Sequence, residues 1–193
     1  MKLWTYLDIP NWENIRDEVN TWFAQEYPNI EEVKMLTFLP NQVIFNAVPS
    51  FKLWLDENNI EVIGFGIFTF RYTETTENIT ENTYGGNIVH TDLANPTTYR
   101  FNIPLMNTIS SVTEFFDSPI EKAIEASNAS ATEDSPTRMW KFGDEGPLLD
   151  SFVLDRPAIL NVKVPHRVRM TNRLPRICLT VCPANDEQLL KFL

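Results

Sequence analysis

Pro175-Arg176-Ile177-Cys178-Leu179-Thr180-Val181-Cys182 alternates polar and apolar side chains without a break. That period of two assigns it to a β-strand, whose successive side chains leave from opposite faces. One face carries Arg176, Cys178, Thr180 and Cys182; the other carries Ile177, Leu179 and Val181. Tyr99-Arg100-Phe101-Asn102-Ile103-Pro104-Leu105 divides in the same way, Arg100 and Asn102 against Phe101, Ile103 and Leu105. Strands of this kind need an apolar cover on one side and enclose polar groups on the other. The cover is available nearer the N-terminus. Ile15, Val19, Trp22 and Phe23 recur at helical spacing within Trp12 to Glu26, with Asn11 as the expected N-cap and Pro28 as the stop. A second short helix is expected over Phe51 to Asn58, capped by Ser50, with Phe51, Leu53, Trp54 and Leu55 as its apolar members.

The rest of the chain repeats the strand signal. Val33 to Leu39 reads as a short strand-like piece, and Ile60 to Phe70 as a long strand rich in β-branched and aromatic residues. Further strands are expected at Asn87 to Asp92, Tyr99 to Met106, Ser111 to Phe116, Arg138 to Phe142, Ser151 to Leu154, Ala158 to Val164, His166 to Thr171 and Arg176 to Cys182. Gly85-Gly86 and Asn95-Pro96 mark turns. Strands this short and closely spaced imply a sandwich or barrel, and two sheets closing on a pocket form a jelly roll. With His166 facing the pocket, Leu160, Val162 and Val164 line it too, while Asn161, Lys163 and Arg167 meet solvent. The polar segment Thr73 to Tyr84 fits a loop at the pocket mouth. Asp117 to Thr137 is expected to be a lid or surface insertion with a helical turn at Ile120 to Ala126, and Asp186 to Leu193 a last helical turn. The expected architecture is a mainly β single domain over 1–193: helical support in 1–59, a β core in 60–183 and a tail in 184–193. One sheet lies under the helices and the other faces water.

Composition limits the partners. At 193 residues the chain can bury about 70% of its unfolded surface as one domain. Its 43% apolar content is that of a globular protein rather than a disordered one. A net charge of −10 argues against a nucleic-acid-binding surface, which needs clustered Lys and Arg, while leaving room for a local basic pocket. No run reaches the roughly 18 apolar residues of a membrane span, and Met1 to Asp8 has no signal-peptide core, so no membrane association and a cytoplasmic location are expected. Cys178 and Cys182, the only two cysteines, lie four positions apart on one strand, about 13 Å at 3.3 Å per residue, too far to bridge each other. They read as small core residues.

The chemistry is concentrated in few residues. In Asn87-Ile88-Val89-His90-Thr91-Asp92, an imidazole and a carboxylate stand two apart on a strand, so both can reach one metal ion. The chain's second and last histidine, His166, opens another strand far enough along to fold back. Two imidazoles and one carboxylate fill about half of an octahedral sphere. Ten residues beyond His166 comes Arg176, whose planar guanidinium can hold a carboxylate through two parallel hydrogen bonds.

The order His-x-Asp, a long gap, His, then Arg ten residues on resembles the Fe(II)/2-oxoglutarate-dependent dioxygenases, including their prolyl-hydroxylase-like group. Tyr99 to Leu105 further resembles the Arg-x-His-x-Pro-Leu-like strand of the aspartyl/asparaginyl β-hydroxylases, with Arg100 matching and Asn102 in place of the histidine. Members of that narrower group can lack the carboxylate ligand that Asp92 would supply, so the chain mixes the two signatures. The resemblance covers about residues 60 to 183. It implies a double-stranded β-helix, the cupin-like jelly roll, and a hydroxylase whose Fe(II) is held by His90, Asp92 and His166. It also implies 2-oxoglutarate chelating that metal with its distal carboxylate on Arg176 and with Arg100 and Asn102 as further contacts. Dioxygen and an unknown substrate, a small molecule or a protein side chain, complete the reaction.

Other readings fit the same residues. A histidine in a β protein is ordinarily a surface or hydrogen-bonded core residue, Arg176 can be a structural ion-pair partner, and Arg100 and Asn102 can be ordinary strand polarity. A metal-binding jelly roll of another activity, or a structural or assembly protein with a vestigial site, would carry the same signature.

Overall fold

A computed structural model describes residues 2–29, 36–70, 89–92, 97–119, 123–127, 138–142, 145–172 and 174–193. In chain order its elements are β1 (Trp4–Tyr6), α1 (Trp12–Glu26), β2 (Leu36–Leu39), α2 (Asn41–Ala47), α3 (Pro49–Glu57), β3 (Val62–Phe70), β4 (His90–Thr91), β5 (Tyr99–Met106), β6 (Ser111–Phe116), β7 (Ala123–Ser127), β8 (Arg138–Phe142), β9 (Leu148–Phe152), β10 (Ala158–Asn161), β11 (His166–Met170), β12 (Arg176–Pro183) and α4 (Glu187–Leu190). They form two antiparallel sheets, one in the order β1-β10-β5-β12-β3-β2 and the other β7-β8-β4-β11-β6-β9. Among the described residues no helix is long and apolar enough to cross a membrane.

Strand β12 shows why its alternation is informative. It runs between β5 and β3, and every one of its residues is buried. Its apolar side meets the helices: Leu179 stands between Ile67 and Ile103, and Val181 between Phe65 and Phe101. That layer packs against Ile15, Val19 and Phe23 of α1, Ile44 of α2, and Phe51 and Leu55 of α3 in one continuous core. Edge-to-face contacts of Phe51 with Phe65 and with Phe101 add aromatic geometry to the burial. Each fully buried side chain of this size stabilises the fold by about 1.5 to 3 kcal/mol. The Asn20 amide, donating to the Leu105 carbonyl at 3.1 Å, ties α1 to the sheet.

Several local readings are corrected. Asn11 precedes α1 as expected but makes no side-chain cap; it sits in the left-handed region at φ 54°, a conformation Asn tolerates. Helix α3 begins at Pro49, whose fixed φ suits a first helical position. Ser50 therefore lies inside the helix, and its hydroxyl donates to Glu18 instead. Leu53 faces solvent at 62% exposure while Phe51, Trp54 and Leu55 are buried. Of the helical turn expected at 120–126, residues 123–126 belong instead to strand β7, which pairs with β8 along its whole length, and 120–122 lie outside the described residues. Strand β9 runs over 148–152 rather than 151–154. The expected single strand 158–164 stops at Asn161, and the chain then crosses to the other sheet, where β11 begins. This crossing also buries Asn161 completely, against its expected exposure. The expected loop 73–84 and the turn at 85–86 lie outside the described residues.

The second sheet carries charge on its outer face. Glu114 is buried on β6, opposite Arg167 of β11, and accepts from Arg167 Nε at 2.6 Å and Arg169 Nε at 2.9 Å. Burial works to raise the Glu114 carboxyl, but the two guanidinium hydrogen bonds outweigh it and hold the group below its usual range. A carboxyl depressed in the folded state contributes its full stability above the unfolded value of about 4.3, and loses it as pH falls through the lower folded value. Glu114→Gln is therefore expected to cost about 1 to 3 kcal/mol near neutral pH, leaving the two guanidinium groups one uncharged acceptor in place of a carboxylate. The difference in melting temperature from the parent should begin to close as pH falls below about 4.3 and vanish only as the parent carboxyl is protonated in the folded state, below that unfolded value. A gap of constant size across that range would show that the ion pairs are not its source.

Candidate metal centre

Strand pairing, not sequence proximity, brings the candidate ligands together. His90 of β4 lies directly opposite His166 of β11. Opposed residues of an antiparallel pair hold their Cβ atoms about 4.5 to 5.5 Å apart, so the rings become neighbours. Their centroids are 4.5 Å apart. Asp92 falls just beyond the end of β4, its backbone N–H donating to the Val162 carbonyl at 2.9 Å, and its side chain returns to the same side as His90. One ligand atom from each of His90, Asp92 and His166 lies within 4.8 Å of the others.

The environment suits a donor set. The Nδ1–H of His166 faces the Val164 carbonyl at 2.8 Å, which can only accept, so the lone pair is left on Nε2. Burial, reinforced by His90, pushes the His166 pKa down to about 4, and the ring is neutral near pH 7. For Asp92, burial works to raise the carboxyl, but Arg100, with His90, His166 and Lys163, outweighs it and holds the group below the usual carboxylate range. Asp92 Oδ1 is 3.8 Å from His90 Nε2, and Asp92 Oδ2 is 3.5 Å from Arg100 Nη1.

All six residues singled out in the sequence line one pocket between the sheets. His90, Asp92 and His166 stand on the β4/β11 wall; Arg100, Asn102 and Arg176 stand on the opposite wall, formed by β5 and β12. Phe68, Leu160, Val162 and Val168 supply apolar lining, and Thr113, Cys178 and Thr180 polar lining. Arg176 is 1% exposed, and its Nη1 lies 3.5 Å from the Cys178 sulfur. The Asn102 side-chain oxygen is buried without a hydrogen-bond partner among the described residues, an acceptor inside the cavity.

Arg100 lies at the end of the pocket that holds Asp92, rather than beside Arg176. Sequence reasoning missed Lys163: expected in solvent, it is half-buried, and its Nζ donates to the Asp92 backbone carbonyl at 3.3 Å. Strand alternation could not have found it, because 162–165 are the crossing between sheets rather than strand. Thr113 and Val168, by contrast, were accessible to alternation, since they stand opposite each other on β6 and β11.

No protein-family model matches the chain. No curated protein matches it either. Among solved structures it is similar to a Pseudomonas putida prolyl-4-hydroxylase, at 8% identity and a TM-score of 0.37, over 93% of this chain and 90% of that one. A likeness of that size carries no argument about activity. What fold and site define together is a two-sheet β protein with a His-Asp-His cluster facing buried arginines across its pocket.

Proposed function

We propose that this chain is a non-heme Fe(II)- and 2-oxoglutarate-dependent oxygenase, a hydroxylase in the cytoplasm, built on a double-stranded β-helix. The observation that carries the reading is the convergence of His90, Asp92 and His166 within 4.8 Å in the same pocket as the fully buried Arg176. The strand order supports the β-helix. From β3 to β12 the chain changes sheet at each step except between β6 and β9, with the β7–β8 hairpin added beside β4.

Each residue then has a physical task. His90, Asp92 and His166 would hold the metal, and three protein donors leave about half of an octahedral sphere for co-substrate and dioxygen. Bound there, Fe(II) and the 2-oxoacid supply the oxidative chemistry. Arg176 offers a fork of donors to the distal carboxylate of 2-oxoglutarate, in a site dry enough for a charge-assisted pair to be strong. Asn102, in the same pocket, is a further polar contact for the co-substrate. Phe68, Leu160, Val162 and Val168 keep water from the metal face. The two buried free cysteines suit a reducing compartment.

The test is an anaerobic titration with Fe(II) and 2-oxoglutarate. A weak visible charge-transfer band, followed by succinate formation when air is admitted, is the expected result. Stoichiometric metal binding with no succinate would make the chain a binding protein or another kind of metalloenzyme, and no metal binding at all would make the cluster vestigial.

A further inference from the structure

The two carboxylate oxygens of Asp92 have different neighbours. Oδ1 lies on the side of the imidazoles, 3.8 Å from His90 Nε2. Oδ2 lies 3.5 Å from Nη1 of Arg100, whose side chain is 5% exposed. Arg100 belongs to β5 in the helix-covered sheet, so this contact also spans the two walls of the pocket. A guanidinium keeps its charge at every accessible pH, and a buried one has few alternative positions.

We propose that Arg100 is a positioning residue for Asp92: it engages Oδ2 so that Oδ1 alone is presented to the metal, and it serves as the site's resident cation when the metal is absent. The inference rests on the metal-centre reading above. Two consequences follow from charge and geometry. Arg100 and a divalent ion draw on the same carboxylate, and two cations a few ångströms apart in a partly dry pocket repel strongly, so Arg100 keeps metal affinity below what the three donors alone would give. With Oδ2 engaged, Asp92 occupies one coordination position rather than two, which preserves the open positions that a chelating 2-oxoacid and dioxygen need. Arg176, at the other end of the pocket, remains the residue for the distal carboxylate.

Co(II), titrated alone and followed by its visible absorption, is the probe, with melting temperatures measured with and without it. The proteins are the parent, Arg100→Gln, Arg100→Met and Arg100→Lys. Gln removes the charge but keeps a polar end in the pocket, its shorter side chain stopping short of Oδ2; Met removes both charge and donor. Gln and Met are expected to melt lower than the parent without metal, to bind Co(II) about tenfold tighter or more, and so to gain more from it on heating. Lys keeps the charge and should return the affinity to the parent value. Once Co(II) is in place, 2-oxoglutarate should bind the Met protein several-fold more weakly than the parent, because Asp92 is free to chelate. Unchanged or weaker Co(II) affinity in Gln and Met, with melting lowered equally in both states, would reduce Arg100 to an ordinary structural ion-pair residue. A parent protein that binds no Co(II) would instead overturn the metal centre itself, a failure separable from that of Arg100.

Discussion

His166→Ala is expected to lower affinity for Fe(II), or for Co(II) as its surrogate, by well over 100-fold and to remove 2-oxoglutarate turnover. Losing a partner that merely orients a ligand already costs 10- to 100-fold in metal sites, and losing the ligand itself costs more. The structure makes His166 the best-prepared of the three candidate donors. Its Nδ1–H is engaged by the Val164 carbonyl, its ring lies 6.0 Å from Phe115, and burial keeps it neutral with Nε2 available. His166→Gln fills more of the space and should show the same loss, which separates the lost donor from the cavity that Ala leaves. Asp92→Ala should also weaken metal binding, and it should destabilise the metal-free protein by about 2 to 4 kcal/mol because the carboxylate facing Arg100 is gone. Metal affinity that survives either His166 variant would mean the cluster is not the metal site.

The second large effect concerns Arg176. If it holds the co-substrate, Arg176→Lys should keep the charge but lose the fork, raising the apparent Kd for 2-oxoglutarate about tenfold or more while leaving Co(II) binding nearly intact. Arg176→Met should cost about 3 kcal/mol or more of co-substrate binding, roughly 100-fold or greater. Its melting temperature should move little, because Met replaces the aliphatic stem of the arginine without the desolvation cost of a buried charge, and the surroundings include Phe68 and Cys178, which accept an apolar chain. A structural arginine reverses the pattern. In that case the Met variant melts well below the parent and 2-oxoglutarate affinity stays where it was, an outcome that would remove Arg176 from the co-substrate site.

Where a segment's conformation follows from its own pattern, the sequence was a sufficient guide. Trp12–Glu26 and Tyr99–Met106 stand as their periodicity predicts, because side chains recurring at 3.6 or 2 can bury one face only in one conformation. The inward set Arg176, Cys178 and Thr180 and the outward set Ile177, Leu179 and Val181 were legible for the same reason. So was the candidate donor set, since histidine occurs only twice in the chain.

Tertiary structure decided what depends on partners distant in the chain. Residues 123–127 are a strand because β8 lies alongside them, although their local pattern also suits a helical turn. Residues 158–170 form two strands in different sheets, and only the crossing between them places Val164 against His166 and Lys163 against Asp92. The i, i+2 spacing of His90 and Asp92 put both on one side, but β4 ends at Thr91, and it is the Val162 carbonyl that fixes the backbone of Asp92. The pairing of Arg100 with Asp92 could not be read from either strand. Alternation tells which face a side chain leaves from, whereas its partner across a pocket is set by how two sheets pack, through contacts between residues far apart in sequence.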